Sequence, residues 1–221
     1  MGEPPVHNIC FHGIGDPGRA IDEDEARYWV THNDFLRILD AIAPWPTLAI
    51  SFDDGNASDV ELGMPALQER GLTATFFVLA GRLDVPGSLA STDVVALRDA
   101  GMGIGSHGMD HVSWRSLTPD ARQRELVDAR DVISGIAGGV TEAALPRGQY
   151  DRTTLSWLRR LGYEAVYTSD RRPGAAGAWL QPRFSATRDD TAESITRAAL
   201  DPRSAVERAR LSLKGLVKRL R

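Results

Sequence analysis

Short apolar runs alternate with longer amphipathic segments along most of the 221-residue chain. The apolar runs are short and predict strands, and the run at residues 73–79 is rich in β-branched and aromatic residues. They occupy residues 6–11, 47–52, 73–79, 102–106, 143–146, 164–168 and 179–186. The amphipathic segments predict helices, several of them followed by a glycine that can end a helix. These segments are residues 33–43, 58–70, 91–100, 119–136 and 151–161.

The alternation of strand and helix predicts an α/β fold with a mainly parallel sheet. Candidate chemical residues follow the predicted strands at their carboxyl ends, where barrels place active sites. A closed or partly closed barrel is therefore our first prediction, and an open doubly wound sheet is the second. The chain shows no linker, repeat or low-complexity segment, and 221 residues allow one sizeable core, so we predict a single domain over residues 1–221.

The C-terminal segment, residues 203–221, is strongly basic. Apolar residues such as Leu213, Leu216 and Leu220 recur at helical spacing, while arginine and lysine fill many of the other positions. Two interpretations of this predicted helix remain open. It packs its apolar side on its own domain and leaves its charges in solvent, or it makes peripheral contact with a membrane surface or an acidic partner.

The composition, 42% hydrophobic and 25% charged residues, is that of a soluble globular protein. The net charge of −4 gives no argument for binding nucleic acid. The single cysteine, Cys10, lies in an apolar run and predicts a buried thiol. The first residues lack the basic and apolar regions of a signal peptide, and no apolar stretch approaches about 20 residues, so we expect a cytoplasmic protein.

Two acidic residues, Asp53 and Asp54, directly follow one predicted strand and precede Gly55. Burying two adjacent carboxylates is costly unless a cation or a proton compensates for their charge. His107 and His111 follow another predicted strand at i,i+4 spacing, which brings both rings to one side if the segment makes a helical turn. Carboxylate and imidazole are ligands of zinc and similar divalent ions, so the two motifs together predict a metal site with an open coordination position.

With these residues the chain resembles the polysaccharide deacetylases of the NodB-homology group, carbohydrate esterase family 4. The family's T/S-F-D-D-G motif corresponds to residues 51–55, and its histidine motif corresponds to residues 106–111. Residues 72–78, Leu-Thr-Ala-Thr-Phe-Phe-Val, are similar to the A-T-F-F-V strand that the family has between these motifs. The resemblance spans about residues 6–191. It implies a distorted (β/α)7-type barrel and metal-dependent hydrolysis of an acetyl group on a sugar.

Carried over residue by residue, the resemblance makes Asp53 the general base and Asp54, His107 and His111 the metal ligands. The expected ion is Zn²⁺, with Co²⁺, Ni²⁺ or Mn²⁺ as alternatives. This division of roles is physically reasonable, because a carboxylate bonded to a metal does not readily take a proton, whereas its neighbour can.

Two later motifs of the family are altered in this chain. Arg147 stands where the third motif has tyrosine. Its backbone N–H is predicted to serve as an oxyanion donor, and a substrate contact of its side chain remains open. The family's late histidine is absent, and in the branch resembling poly-N-acetylglucosamine deacetylases an N-terminal motif supplies it. We therefore predict His12 as the general acid, since a barrel brings its first and last strands together. A structural role for His12 is the alternative.

Two further residues are candidates for the site. Arg183 lies in the last extended segment, where it is predicted either to pair with Asp53 and keep it ionised or to contact substrate. Trp114 follows the histidine motif and is predicted to stack on a sugar ring. Both residue types also fill ordinary structural roles.

These motifs predict a metal-dependent sugar N-deacetylase. Its expected substrate is an acetylated amino sugar or glycan, in a nucleotide-linked or lipid-linked form if the enzyme is intracellular. Two alternatives remain: hydrolysis of another amide, such as a formamide or cyclic imide, on the same barrel, and a non-catalytic carbohydrate-binding protein. The altered later motifs favour the second alternative, and the complete set of metal ligands argues against it.

Overall fold

A computed structural model describes residues 5–200 of the chain. Within these residues the longer strands form at the predicted apolar runs, and short strands lie between them. The strands are β1 (Pro5–Phe11), β2 (Gly13–Ile14), β3 (Trp29–Val30), β4 (Leu48–Asp53), β5 (Thr75–Val78), β6 (Gly103–Ser106), β7 (Glu142–Ala144), β8 (Ala165–Thr168), β9 (Gly174–Ala175), β10 (Leu180–Pro182) and β11 (Phe184–Ser185).

Eight of these strands form one parallel sheet in the order β10-β8-β7-β6-β5-β4-β1-β11. β9 pairs antiparallel with β1, and β2 pairs with β3 in a small second sheet. Side-chain hydrogen bonds connect β10, at one end of the large sheet, to β1, the strand next to the other end. Nδ2 of Asn8 on β1 donates to Oε1 of Gln181 at 3.3 Å and to the carbonyl of Pro182 at 3.0 Å, both on β10. The nearly closed sheet confirms the distorted barrel over the open, doubly wound alternative.

Helices connect the main strands, as parallel pairing requires. The α-helices are α1 (Glu23–Ala26), α2 (His32–Ile42), α3 (Met64–Glu69), α4 (Ser91–Asp99), α5 (Pro119–Arg122), α6 (Ala129–Ala137), α7 (Arg152–Arg160) and α8 (Ala192–Leu200). π-Helical turns at Asp59–Gly63 and Gln123–Asp128 lead into α3 and α6. Short 3-10 turns occupy Ala80–Arg82 and Pro146–Gly148.

Aromatic packing fixes β1 beside β4. Phe11 of β1 is paired in register with Phe52 of β4. Their rings lie 5.6 Å apart, and each packs on Phe35 of α2 at 5.0 and 6.0 Å between centroids. All three side chains are fully buried, which stabilises the fold by about 1.5–3 kcal/mol each. The pairing places His12, which follows β1, and Asp53, which ends β4, at the same end of the barrel.

The structure differs from the sequence-based elements in a few places. The helices predicted at residues 58–70 and 119–136 each include a π-helical turn, and the extended segment at 179–186 divides into β10 and β11. Neither the four-residue α1 nor α8 was expected. The basic helix predicted at residues 203–221 lies outside the described residues. Between residues 5 and 200, every helix is too short or too polar to cross a membrane.

Candidate active site

The candidate site forms where the chain leaves β4 in a tight turn. β4 ends at Asp53, and the next two residues, Asp54 and Gly55, have φ angles of 76° and 66°. Positive φ is ordinary for glycine but strained for other residues, and such strain often persists at functional sites. The turn sends the two carboxylates to different partners. Asp53 contacts Arg183, and Asp54 faces the loop that follows β6.

Two imidazoles converge on one carboxylate oxygen. Oδ1 of Asp54 lies 3.5 Å from Nε2 of His107 and 3.3 Å from Nε2 of His111. One ligand atom from each of these residues lies within 4.8 Å of the other two. Asp54 and His107 are buried, whereas His111 is partly exposed to a cavity. The structure therefore brings together the three residues predicted as metal ligands.

The histidine loop, residues 107–111, is not helical. His107 directly follows β6, and the loop includes positive φ angles of 87° at Gly108 and 55° at His111. The helical turn considered for the i,i+4 spacing is therefore wrong. The two imidazoles still lie together, with ring centroids 5.3 Å apart. Contacts from outside hold the loop: two of its carbonyls accept backbone N–H groups from the turn Ala80–Arg82 at 2.9 and 3.0 Å.

The protonation states of the three residues follow from burial and hydrogen bonding. Nδ1 of His107 lies 2.9 Å from the carbonyl oxygen of Ala144, which can only accept, so Nδ1 carries the proton and Nε2 presents a lone pair. Burial lowers the pKa of His107 to about 3 and also lowers the pKa of His111. Burial raises the pKa of Asp54 to about 6. At neutral pH both imidazoles are therefore neutral and Asp54 is ionised.

These features fit a divalent cation. Oδ1 of Asp54 is buried and has no hydrogen-bond partner among the described residues. Nε2 of His107 presents a lone pair to that oxygen, and two such acceptors repel each other unless a cation or a proton lies between them. One carboxylate oxygen and two imidazole nitrogens form a donor set found in catalytic zinc sites, where a further position stays open for water or substrate.

Asp53 forms a bidentate ion pair with Arg183, the residue between β10 and β11. Nη1 and Nη2 of Arg183 donate to Oδ1 and Oδ2 of Asp53 at 2.7 and 2.6 Å, and Nη1 also donates to Oγ of Ser51 at 2.9 Å. Both charged side chains are buried. Burial by itself raises the pKa of Asp53, but the adjacent guanidinium outweighs it and holds that pKa well below its usual range. Of the two arrangements predicted for Arg183, the structure shows the ion pair.

His12 approaches the same carboxylate from the end of β1. Its Nε2 lies 3.9 Å from Oδ2 of Asp53, and its ring stacks on Tyr28 with 4.6 Å between centroids. Sγ of Cys10 lies 4.0 Å from Nδ1 of His12. Burial raises the pKa of the Cys10 thiol well above its usual range, so Cys10 is a protonated core thiol, as its apolar surroundings in the sequence predict.

A cavity of about 330 Å³ opens onto these groups. His12, Asp53, Asp54 and His111 line it, and so does Arg147. Arg147 has a φ of 57°, and its Nε donates to the carbonyl oxygen of His111 at 3.4 Å. Its exposed guanidinium thus lies at the cavity wall next to one of the candidate metal ligands.

Trp114 does not line this cavity. It is 1% exposed, its Nε1 donates to Oε2 of Glu125 at 3.3 Å, and its carbonyl accepts the hydroxyl of Thr154 at 2.7 Å. The indole has no face open to a sugar, so the stacking role predicted for Trp114 is wrong. Its place in the sequence after the histidine motif does not determine the direction of its side chain, which packs in the hydrophobic core.

Sequence analysis missed part of the cavity wall, residues 22–28. Glu25 and Tyr28 of this segment line the cavity. Glu25 is held by Arg19, whose Nη1 donates to Oε2 at 3.1 Å, and by Arg82, whose Nη1 donates to Oε1 at 3.4 Å. The helix within the segment has four residues, too few for a periodic pattern. The available signal was the acidic run that follows an aspartate at the N-cap.

Comparison with known proteins identifies the family. A family model described as polysaccharide deacetylase matches residues 42–166, more than half of the chain. The matched segment includes both aspartates of the β4 turn and both histidines of the histidine loop. The chain therefore belongs to the polysaccharide deacetylase family, which confirms the resemblance seen in its motifs.

Individual relatives are similar to this chain in sequence or in fold. The chain is 29% identical over 128 residues to the putative polysaccharide deacetylase YxkH of Bacillus subtilis, an alignment that covers 58% of this chain and 45% of YxkH. The solved structure of the Streptococcus pyogenes deacetylase PplD, in complex with acetate, superposes with a TM-score of 0.75 at 19% identity and covers 88% of this chain and 98% of PplD. For IcaB from Ammonifex degensii the TM-score is 0.71 at 19% identity, with 89% and 97% covered.

At 19% identity, the two solved structures establish only that the fold is shared. The chain spans about half the length of the curated relatives it matches.

Proposed function

We propose that this protein is a metal-dependent hydrolase that removes the N-acetyl group from an amino sugar or glycan. One observation carries the proposal: the buried Oδ1 of Asp54, unpartnered among the described residues, lies within 3.5 Å of two imidazole nitrogens. The ion pair of Asp53 with Arg183 lies next to it. Membership of the polysaccharide deacetylase family supports the same reading.

Asp54, His107 and His111 would hold the divalent ion. Zn²⁺ is the expected ion, and the same donor set accepts Co²⁺, Ni²⁺ or Mn²⁺. When bound, the ion would supply Lewis acidity to the acetamide carbonyl and lower the pKa of water. Two neutral imidazoles and one ionised carboxylate are the protonation states that such a site requires at neutral pH.

Asp53 would act as the general base toward the attacking water. Arg183 fixes the orientation of its carboxylate and keeps it ionised. The same low pKa makes Asp53 a weak base, so the proton it accepts would be passed on readily. His12 would receive that proton. Its Nε2 lies 3.9 Å from Oδ2 of Asp53, a gap that one water molecule can bridge, which supports this role.

His12 would act as the general acid. It would donate a proton to the departing amine as the carbon–nitrogen bond breaks, since an amine leaves poorly unless it is protonated. Transfer of the proton from Asp53 to His12 would then restore both groups. The position of His12 next to Asp53 supports this role and weighs against the non-catalytic alternative, which was motivated by the missing late histidine. The backbone N–H of Arg147 would stabilise the oxyanion, a role that does not depend on the side chain.

The form of the sugar substrate and the place where the enzyme acts are predictions from the sequence. A cavity of about 330 Å³ is within the range of small-molecule sites. An acetylated amino sugar is the proposed ligand, in nucleotide-linked or lipid-linked form if the enzyme acts in the cytoplasm. Peripheral membrane contact is proposed through residues 203–221.

Asp53→Asn should separate proton transfer from metal binding. Amine release from N-acetylglucosamine oligomers should fall about 100- to 10,000-fold, because the general base is lost. Zn²⁺ affinity, measured by titration calorimetry on metal-free protein, should stay within a few-fold of the wild type. Asparagine leaves the buried Arg183 without a negatively charged partner, so circular dichroism first establishes that the variant is folded.

His107→Ala is the complementary variant and should lose both Zn²⁺ binding and amine release. His32→Ala, which changes an exposed histidine at the start of α2, should lose neither. Deacetylation that persists in metal-free enzyme containing chelator, or full activity in Asp53→Asn, would refute the proposed mechanism.

A further inference from the structure

The histidine loop has a buried anchor that the proposed chemistry does not use. Glu125, in the π-helical turn before α6, is 2% exposed. Its Oε2 accepts the backbone N–H of Met109 at 2.9 Å and Nε1–H of Trp114 at 3.3 Å, and its Oε1 accepts the backbone N–H of Asp110 at 3.1 Å. A buried carboxylate that accepts three N–H groups from one stretch of chain fixes that stretch in position and direction.

Gly108 leaves room for this carboxylate. A Cβ at position 108 would lie 2.4 Å from Oε2 of Glu125 and 3.0 Å from Nε1 of Trp114. The φ of 87° at Gly108 is also one that side chains disfavour. Any larger residue at this position would therefore displace Glu125 or the loop.

The backbone of the loop is held from two sides. Glu125 accepts its N–H groups, and the carbonyls of Gly108 and Met109 accept N–H groups from the turn Ala80–Arg82. His111 follows with a φ of 55°, a strained value for a residue other than glycine. External contacts are what keep such a loop in one conformation.

We infer that Glu125 is a positioning residue for His111 and, through it, for the candidate metal site. Its hydrogen bonds to Met109 and Asp110 fix the two residues just before His111. They thereby fix the backbone position of His111 and keep Nε2 of its imidazole 3.3 Å from Oδ1 of Asp54. The inference rests on the proposed function, because it concerns the proposed metal ligands.

Glu125→Gln tests the inference with little change in side-chain size. Glutamine keeps one acceptor oxygen, but its amide N–H₂ then faces a backbone N–H donor. Zn²⁺ affinity of the metal-free protein, measured by calorimetry, should fall about 10- to 100-fold, the range seen for residues that orient metal ligands. Hydrogen exchange of the Met109 and Asp110 amides should be faster in the metal-free variant. In Gly108→Ala the added Cβ would lie 2.4 Å from Oε2 of Glu125 and displace that carboxylate. This variant should also weaken Zn²⁺ binding.

Asp151→Asn is the matched control. Asp151 is also a buried carboxylate, 7% exposed, that accepts backbone N–H groups, from Ser116 at 3.3 Å and Thr154 at 2.7 Å, both outside the histidine loop. The Asp151→Asn variant should have a lower free energy of unfolding than the wild type and an unchanged Zn²⁺ affinity. Wild-type Zn²⁺ affinity and unchanged amide exchange in Glu125→Gln would overturn the inference and leave the proposed function intact. A wild-type protein that binds neither Zn²⁺ nor Co²⁺, Ni²⁺ or Mn²⁺ would refute the proposed function as well.

Discussion

The two halves of the candidate site surround a buried aspartate with different partners. We name the halves after their proposed roles: the metal half is Asp54, His107 and His111, and the proton-transfer half is Asp53, Arg183 and His12. In the proton-transfer half, the guanidinium of Arg183 lies 2.6 and 2.7 Å from the carboxylate oxygens of Asp53 and lowers its pKa. In the metal half, Asp54 faces imidazole nitrogens, and burial raises its pKa. Two residues adjacent in sequence thus have opposite electrostatic environments.

The halves also differ in how the chain assembles them. The metal half comes from two short motifs, each at the end of a strand. The ion pair of the proton-transfer half joins residues 130 positions apart. It exists because β1 lies between β4 and β11 in the sheet, so that Arg183 beside β11 reaches Asp53 at the end of β4. The proton-transfer half therefore depends on closure of the barrel, whereas the metal half is assembled by local turns around the proposed cation.

Breaking the internal ion pair should have the largest effect on stability. Arg183→Met leaves the carboxylate of Asp53 buried without a counterion, and we expect a loss of about 3–5 kcal/mol in the free energy of unfolding. Urea denaturation followed by circular dichroism measures this loss.

A matched ion pair on the surface provides the control for Arg183→Met. Nε of Arg124 lies 2.6 Å from Oδ2 of Asp110, but the two side chains are 55% and 43% exposed. Arg124→Met should therefore cost less than about 1 kcal/mol. Equal losses in the free energy of unfolding for Arg183→Met and Arg124→Met would show that the buried ion pair contributes no more to stability than the exposed one.

Much of the metal half could be predicted from the sequence, because its signals are local. Two acidic residues after an apolar run, and two histidines after another, point to ligands at neighbouring strand ends. The helical turn considered for the two histidines does not form, because the contacts that prevent it are not local. They come from Glu125 and from the turn Ala80–Arg82, and neither is part of the motif.

The proton-transfer half could be predicted only in part. His12 and Arg183 were identified as candidates, but the strand order that joins Arg183 to Asp53 is a property of the closed sheet. Tyr28 was missed, because its segment has one short helix and no periodic pattern. Trp114 was misassigned, because spacing along the chain does not specify whether a side chain faces the cavity or the core.

The two halves should respond differently to pH. A proton on Asp54, whose pKa burial raises to about 6, competes with the metal. Zn²⁺ affinity should therefore fall about tenfold for each pH unit below about 6. His107, whose pKa is lowered to about 3, does not add to this effect. Calorimetric titration of metal-free protein with Zn²⁺ between about pH 5 and 8 measures this fall in affinity. A constant affinity across that range would contradict the raised pKa of Asp54.

The same shift affects the stability of the metal-free protein. The folded-state pKa of Asp54 lies above the unfolded value of about 4, so the folded state binds this proton more tightly. Asp54 should therefore make the protein less stable as pH rises from about 4 to about 6. Asp53 has the opposite shift, and its stabilising contribution is constant above about pH 4 and is lost only as the pH falls further. Thermal unfolding in the presence of a chelator tests both signs.

Removing the ring that stacks on His12 should have the smallest effect and should affect one half alone. Tyr28→Ala removes a stacking contact with 4.6 Å between centroids, worth about 0.5–1.5 kcal/mol. If that contact orients the general acid, kcat for amine release should fall about two- to tenfold with Zn²⁺ affinity unchanged. Tyr28→Phe keeps the ring and should behave as the wild type. A loss of Zn²⁺ affinity in Tyr28→Ala would mean that the halves are coupled through the cavity wall, and equal effects of alanine and phenylalanine would assign the role to the hydroxyl instead of the ring.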